Sequence, residues 1–294
     1  VNFYLQPAVH APPPPLEISE SEFIRLQSAR KVLNAAFSFE ENYDLLIGNY
    51  VEIENSALGL AASVMARRLH GYEEMFELTA EVNRRAVNFL STARLFVDQI
   101  LQRISDCDGD REAVRNLLRQ EHAEAFEYRF MEALRNHVQH SGSAVHGLSF
   151  GGDWAPPGTR DRRVFVLSAS SHKRYLELDP KFNKAVLQEC PDQVDFMQAM
   201  RRYLSALSNV HDFARSGIKD GVEKARKTFE DAISRYQSFS NESSLGLTAY
   251  GSRPTGKMEQ VLVFLKWDDV RIRLSTRNHK LRYLDRTIIS NSNI

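Results

Sequence analysis

Residues 133–148 read Ala-Leu-Arg-Asn-His-Val-Gln-His-Ser-Gly-Ser-Ala-Val-His-Gly-Leu. Three of them form a set that can do chemistry on a phosphate. Arg135 offers a permanently charged planar fork that answers negative charge. Asn136 can donate to a phosphate oxygen or orient a neighbouring ring. His140 titrates near neutrality and so can take or give a proton. Cutting RNA without a metal needs a base for the 2′-hydroxyl, an acid for the leaving oxygen and a cation for the phosphate. An Arg–polar–His set meets those needs. On a helix advancing about 100° per residue, take Leu134 as the centre of the buried stripe. Asn136 then falls nearly opposite the core, with His140 one turn further along the same face. Arg135 can bend its long side chain toward that face. His137 lies only about 60° from the stripe, so packing is its expected task.

This segment resembles the motif of the HEPN superfamily, helical bundles that carry an Arg, usually followed by a polar residue, with a His a few positions later. Arg135, Asn136 and His140 match that pattern, with four residues between Arg and His. The wider string Leu-Arg-Asn-His-Val-Gln-His-Ser-Gly is similar to HEPN proteins in which a Gln-His pair and a glycine close the motif. The resemblance covers residues 38–150. It implies a metal-independent ribonuclease whose two copies form one composite site, with RNA as substrate and no cofactor. It also implies a place in a toxin–antitoxin or antiphage system, where a regulatory protein would be a further partner. The alternative is a non-catalytic helical protein that dimerises, docks a partner or binds a nucleotide. A second Arg–polar–His spacing, Arg115, Asn116 and His122, precedes the first. The later one is favoured by its Gln-His-Ser-Gly context and its place at a helix end.

Other candidates carry less. His137, His140 and His146 lie close together, with His122 upstream, but no carboxylate or cysteine joins them at ligand spacing, so no metal is expected. Glu121 and Glu124 suit a solvated helix face. The tail holds Lys266, Trp267, Arg271, Arg273, Arg277, Lys280 and Arg282. Such a basic stretch with aromatics can grip single-stranded RNA; a wet strand face with a basic end is the plainer account. There is no phosphate-binding glycine loop, no dinucleotide fingerprint and no Gly-x-Ser-x-Gly elbow.

The elements that must position these groups are mostly helices. Leu46, Tyr50, Ile53, Ala57, Leu60 and Val64 recur at helical spacing, which predicts a helix over 38–70 with a capping box at Ser38 and Glu41 and a stop at Gly71. A wide stripe from Val82 to Ile104 predicts a second helix over 73–105. Asp-Cys-Asp-Gly-Asp at 106–110 reads as a turn, and Val114, Leu118, Phe126, Phe130, Leu134 and Val138 mark a third helix over 110–140. Glycines and prolines make 141–161 a long loop. Residues 163–168 read as a strand that 174–178 could join. Helices follow at 192–214 and 221–237, then a flexible loop over 238–257. Alternating Val270, Ile272 and Leu274 predict a strand. Pro12 to Pro15 form a stiff lead-in.

The expected fold is therefore mainly α: an antiparallel, HEPN-like bundle with a few strands in the C-terminal half. Its expected divisions are 1–37, an arm and short helix; 38–150, the bundle; and 151–294, further helices and strands. Hydrophobic residues make up 43% and charged ones 26% of the 294 residues, which suits a globular core. Lys plus Arg and Asp plus Glu each number 38, so any attraction for nucleic acid must be local. Two cysteines, Cys107 and Cys190, make no disulfide framework. No signal peptide or membrane span is evident, and a cytoplasmic location is expected.

Overall fold

The computed structural model describes residues 3–9, 12–67, 71–154, 163–240, 244–252 and 258–289. The fold is mainly α, with antiparallel strands. Among the described residues the order is β1 (Phe3–Pro7), β2 (Leu16–Glu17), α1 (Glu20–Ala66), α2 (Tyr72–Asp106), α3 (Arg111–Glu124), α4 (Phe126–His140), β3 (Gly147–Trp154), β4 (Arg163–His172), α5 (Lys173–Leu176), α6 (Lys184–Glu189), β5 (Gln193–Asp195), α7 (Phe196–Ser240), β6 (Leu247–Ser252), β7 (Met258–Leu262) and α8 (Lys266–Arg277), with a 3₁₀ turn at Leu284–Arg286. No helix among them is long and apolar enough to cross a membrane.

The chain forms two compact units, neither a continuous stretch. One comprises Val1–Glu41, Gln99–Val114 and Phe213–His279; the other comprises Asn42–Asp98, Arg115–Asp212 and Lys280–Ile294. Helices α1, α2, α3 and α7 each contribute residues to both.

The first unit holds a sheet of order β2-β1-β6-β7. Its β1 pairs antiparallel with β6, Phe3 opposite Gly251 and Pro7 opposite Leu247. Strands are thus not confined to the C-terminal half, and the N-terminal segment is sheet instead of the expected arm. The alternation Phe3, Leu5, Pro7 on the buried side carries that signal. Pro12–Pro15 lead from β1 toward β2, and Gln6 Nε2 donates to the Pro13 carbonyl at 2.8 Å. Helix α1 begins well before the expected start. Its capping box is Ser19 and Glu22: the Ser19 N–H donates to Glu22 Oε2 at 2.9 Å and the Glu22 N–H to Ser19 Oγ at 3.2 Å. Phe23, Leu26, Leu33 and Ala36 then carry its buried face. Residues 68–70, at the expected helix end, lie outside the described residues. Gly71, the expected stop, has φ +120° and begins the approach to α2.

The turn between α2 and α3 is where the sequence puts it. Asp108 has φ 58°, and the Gly109 N–H donates to the Ile104 carbonyl at 2.9 Å. Helix α7 is one element in place of the expected two. Gly217 and Gly221 do not stop it, because Val210, Ala214, Ile218, Val222, Ala225 and Phe229 continue one buried stripe through them. The alternating tail is helix α8 instead of a strand. Asp268, fully buried, accepts from Arg271 Nε at 2.5 Å and Nη2 at 2.9 Å, one turn along, and from Arg226 Nη1 at 2.7 Å.

The second unit holds the sheet β3-β4-β5. Residues expected to be a glycine-rich loop form β3, which runs antiparallel to β4 from Gly147 opposite Ser170 to Trp154 opposite Arg163. Gly147 marks a close approach: a Cβ there would meet His172 Nε2 at 2.8 Å and Ser170 Oγ at 2.9 Å. Residues 155–162, which include 155–161 of that expected loop, lie outside the described residues, as do 241–243 and 253–257 of the expected loop over 238–257. The second partner of β4 is β5, since 173–176 is helical.

The expected third helix is two, α3 and α4, broken at Ala125 (φ −112°, ψ 118°). No glycine or proline marks this break. Arg129 stabilises it from the next turn: its Nη1 donates to the carbonyls of His122 (3.0 Å) and Ala123 (2.7 Å), which α3 leaves without helical partners.

Candidate functional site

Helix α4 buries Tyr128, Phe130, Met131, Ala133, Leu134 and His137. That stripe fixes what its last two turns present outward. Asn136 and His140 are exposed, and Arg135 is half-buried. The Arg135 Nη1 donates to Asn136 Oδ1 at 3.0 Å. Its Nε is buried with no acceptor among the described residues. Among the described residues the guanidinium therefore has more donors than partners. His140 ends the helix, and the chain turns as the Ser141 N–H donates to the His137 carbonyl at 2.8 Å.

The histidines of the segment take different environments. His137 turns inward, and its Nδ1 lies 2.8 Å from Asp179 Oδ2 in a buried pair. The hydrogen bond to His137, and one at 2.9 Å from the Lys181 N–H, hold the Asp179 carboxyl below the usual carboxylate range. This pair explains the glycine of the Gln-His-Ser-Gly string. A Cβ on Gly142 would lie 2.8 Å from His137 Nε2, and Asp179 fixes that ring. Gly142→Ala is expected to destabilise the fold by about 1–3 kcal/mol through overpacking. A lowered urea midpoint with an unchanged slope would register this.

His146 starts a second cluster. Its ring stacks on Tyr175 at 4.9 Å and lies 6.4 Å from His137 and 6.3 Å from His172, between centroids. The His172 N–H donates to His146 Nδ1 at 3.1 Å, so the neutral ring carries its proton on Nε2. His172 Nε2 sits 2.9 Å from Ser170 Oγ. Burial, then the neighbouring His137, His172 and Arg174, push the His146 imidazolium down to about 4. A base whose folded pKa is depressed loses stability as pH falls from its unfolded value, 6.5, toward 4. The loss should be about 3 kcal/mol at most. His146→Gln keeps an acceptor for the His172 N–H without a titrating ring, so its unfolding free energy should fall less over that window. Denaturant titrations at pH 7 and pH 4.5 compare the two.

The second Arg–polar–His spacing is not gathered into one place. Asn116 accepts from Arg119 Nη1 at 3.4 Å, whereas His122 Nε2 lies 3.6 Å from Glu132 Oε2 on α4. Burial raises the Glu132 carboxyl above its ordinary value, with His122 and Arg94 acting the other way.

The basic tail is divided. Trp267 donates its indole N–H to the Phe264 carbonyl at 2.6 Å and lies under Arg30, 4.3 Å from the ring centroid. Arg271 is held on Asp268. Lys280 belongs to the other unit, where it donates to Asn209 Oδ1 at 2.7 Å and lies 3.3 Å from Asp212. Lys266, Arg273, Arg277 and Arg282 are exposed. Cys107 and Cys190 are free and buried. No group of three or more His, Cys, Asp or Glu among the described residues is placed to hold a metal ion.

Sequence reasoning missed the strip that follows His146. His172, Lys173, Arg174, Glu177, Asp192 and Gln193 line an open groove of about 430 Å³. The run His-Lys-Arg-Tyr was visible, but nothing local joins it to His146, 26 residues earlier. In comparison with known proteins, the chain matches no family model, no curated protein and no solved structure.

Proposed function

We propose that the chain is a metal-independent ribonuclease of HEPN type, acting as a homodimer, with Arg135, Asn136 and His140 as its site. One observation carries the reading. In the last turns of α4, His137 is turned into the core onto Asp179, while Asn136, held by half-buried Arg135, and His140 are exposed. The segment thus separates a structural histidine from an accessible one.

In this account one His140 takes the proton of a 2′-hydroxyl and O2′ attacks the adjacent phosphorus. The bond to the 5′-oxygen breaks, and the His140 of a second copy protonates that oxygen. The products are a 2′,3′-cyclic phosphate and a 5′-hydroxyl. Arg135 holds the phosphate as charge gathers on it, and Asn136 orients the guanidinium. No step calls on a cofactor. A role in a toxin–antitoxin or antiphage system, with a regulatory protein partner, is what the resemblance adds.

The test is incubation of mixed RNA with wild type, Arg135→Ala and His140→Ala in EDTA. Cleavage by wild type alone supports the reading. A folded, dimeric wild type that leaves RNA intact would favour the non-catalytic interaction protein.

A further inference from the structure

The groove beside α5 carries charges that do not satisfy one another. Lys173, Glu177 and Asp192 line it, yet none makes an ion pair with a described residue. Its basic wall is built to hold its shape. The backbone N–H of His172 is fixed on His146 and its ring on Ser170. Tyr175 stacks on both imidazoles. Arg174 lies over the Tyr175 ring at 4.7 Å and donates through Nη2 to the Tyr175 hydroxyl at 3.1 Å, leaving its other guanidinium N–H groups outside that bond. Gly147 lets β3 pass close to His172.

The groove lies near the buried side of α4: its Glu177 is two residues before Asp179, whose Oδ2 is 2.8 Å from His137 Nδ1. The imidazoles of His137, His146 and His172 follow one another at 6.4 Å and 6.3 Å. His137 is one turn from His140 on that helix. A groove of this volume is in the range of small-ligand sites. Its cations answer a phosphodiester, and its carboxylates and amide answer ribose hydroxyls and base amino groups.

We propose that this groove binds a phosphate of the substrate RNA flanking the cut, through Lys173 and Arg174; the inference rests on the ribonuclease reading. This subsite lies outside the Arg135–His140 motif.

The test measures binding without cleavage. Full-length His140→Ala is titrated by fluorescence anisotropy with a short labelled single-stranded RNA at several salt concentrations. The same is done with Lys173→Ala and Arg174→Gln added. The added changes should weaken binding roughly tenfold and lower the slope of log affinity against log salt by about 0.7 for each phosphate that is no longer neutralised. Lys173→Arg in place of Lys173→Ala should restore part of the affinity and of the slope. Unchanged affinity and slope would overturn the groove while leaving the ribonuclease reading standing. No RNA binding by the His140→Ala protein at all would overturn both. AMP should displace the RNA only in large excess; displacement at equal concentration would assign the groove to free nucleotides and overturn the strand assignment.

Discussion

His140→Ala is expected to lower metal-independent RNA cleavage by about 10²–10⁴-fold, the usual contribution of a positioned acid or base, with little change in thermal stability. The two halves of this expectation come from one observation: His140 is exposed at the end of α4. An exposed side chain outside the core contributes little to folding. The contrast is His137, three residues earlier, which is buried against Asp179 and beneath Gly142. His137→Ala should therefore lower stability and, through it, activity. Measuring cleavage and the urea midpoint on both variants separates a chemical residue from a structural one. If His140→Ala unfolds the protein, or if His137→Ala matches wild type in stability, the division of labour along α4 is wrong.

Asp268→Ala should cost about 3–5 kcal/mol, the range for breaking a buried ionic cluster by removing one partner. Asp268 has no exposed surface and joins Arg226 to Arg271. Removing the carboxylate leaves two guanidinium groups in its place. Arg271→Ala should cost less, because Arg226 still pairs with Asp268. Chemical denaturation of both variants checks the order; equal losses would contradict it, and negligible losses would show that the cluster does not hold α8. From residue type alone, Arg271 and Trp267 suit RNA binding. Their groups are engaged inside the first unit, on Asp268, on the Phe264 carbonyl and beneath Arg30.

What the sequence revealed depended on how local the cause was. The separation of His137 from Asn136 and His140 follows from the 3.6-residue period alone, and α4 keeps it. The turn at Asp108 and Gly109 announces itself through residue types that tolerate its backbone. Other features have distant causes. The break at Ala125 has no local breaker, since Arg129 supplies acceptor groups with a partner only after the chain has already bent. Alternation at Val270, Ile272 and Leu274 argues for a strand, but Asp268 meets Arg226 of α7 and the segment is a helix. The glycines of 147–152 read as loop residues but lie in β3, where Gly147 and Gly152 are sites of close approach to β4. For the same reason the groove beside α5 could not be read in advance. It exists because β4 pairs with β5, His172 opposite Gln193, and the Lys173 N–H donates to the Asp192 carbonyl at 3.0 Å.

The most direct measurement of the central claim is end analysis of RNA incubated with wild-type protein in EDTA, alongside Arg135→Ala and His140→Ala. Fragments from wild type ending in 2′,3′-cyclic phosphate and beginning with 5′-hydroxyl, and absent from both variants, are the result expected. Intact RNA, equal cleavage by the variants, or fragments with 3′-hydroxyl and 5′-phosphate ends would contradict it.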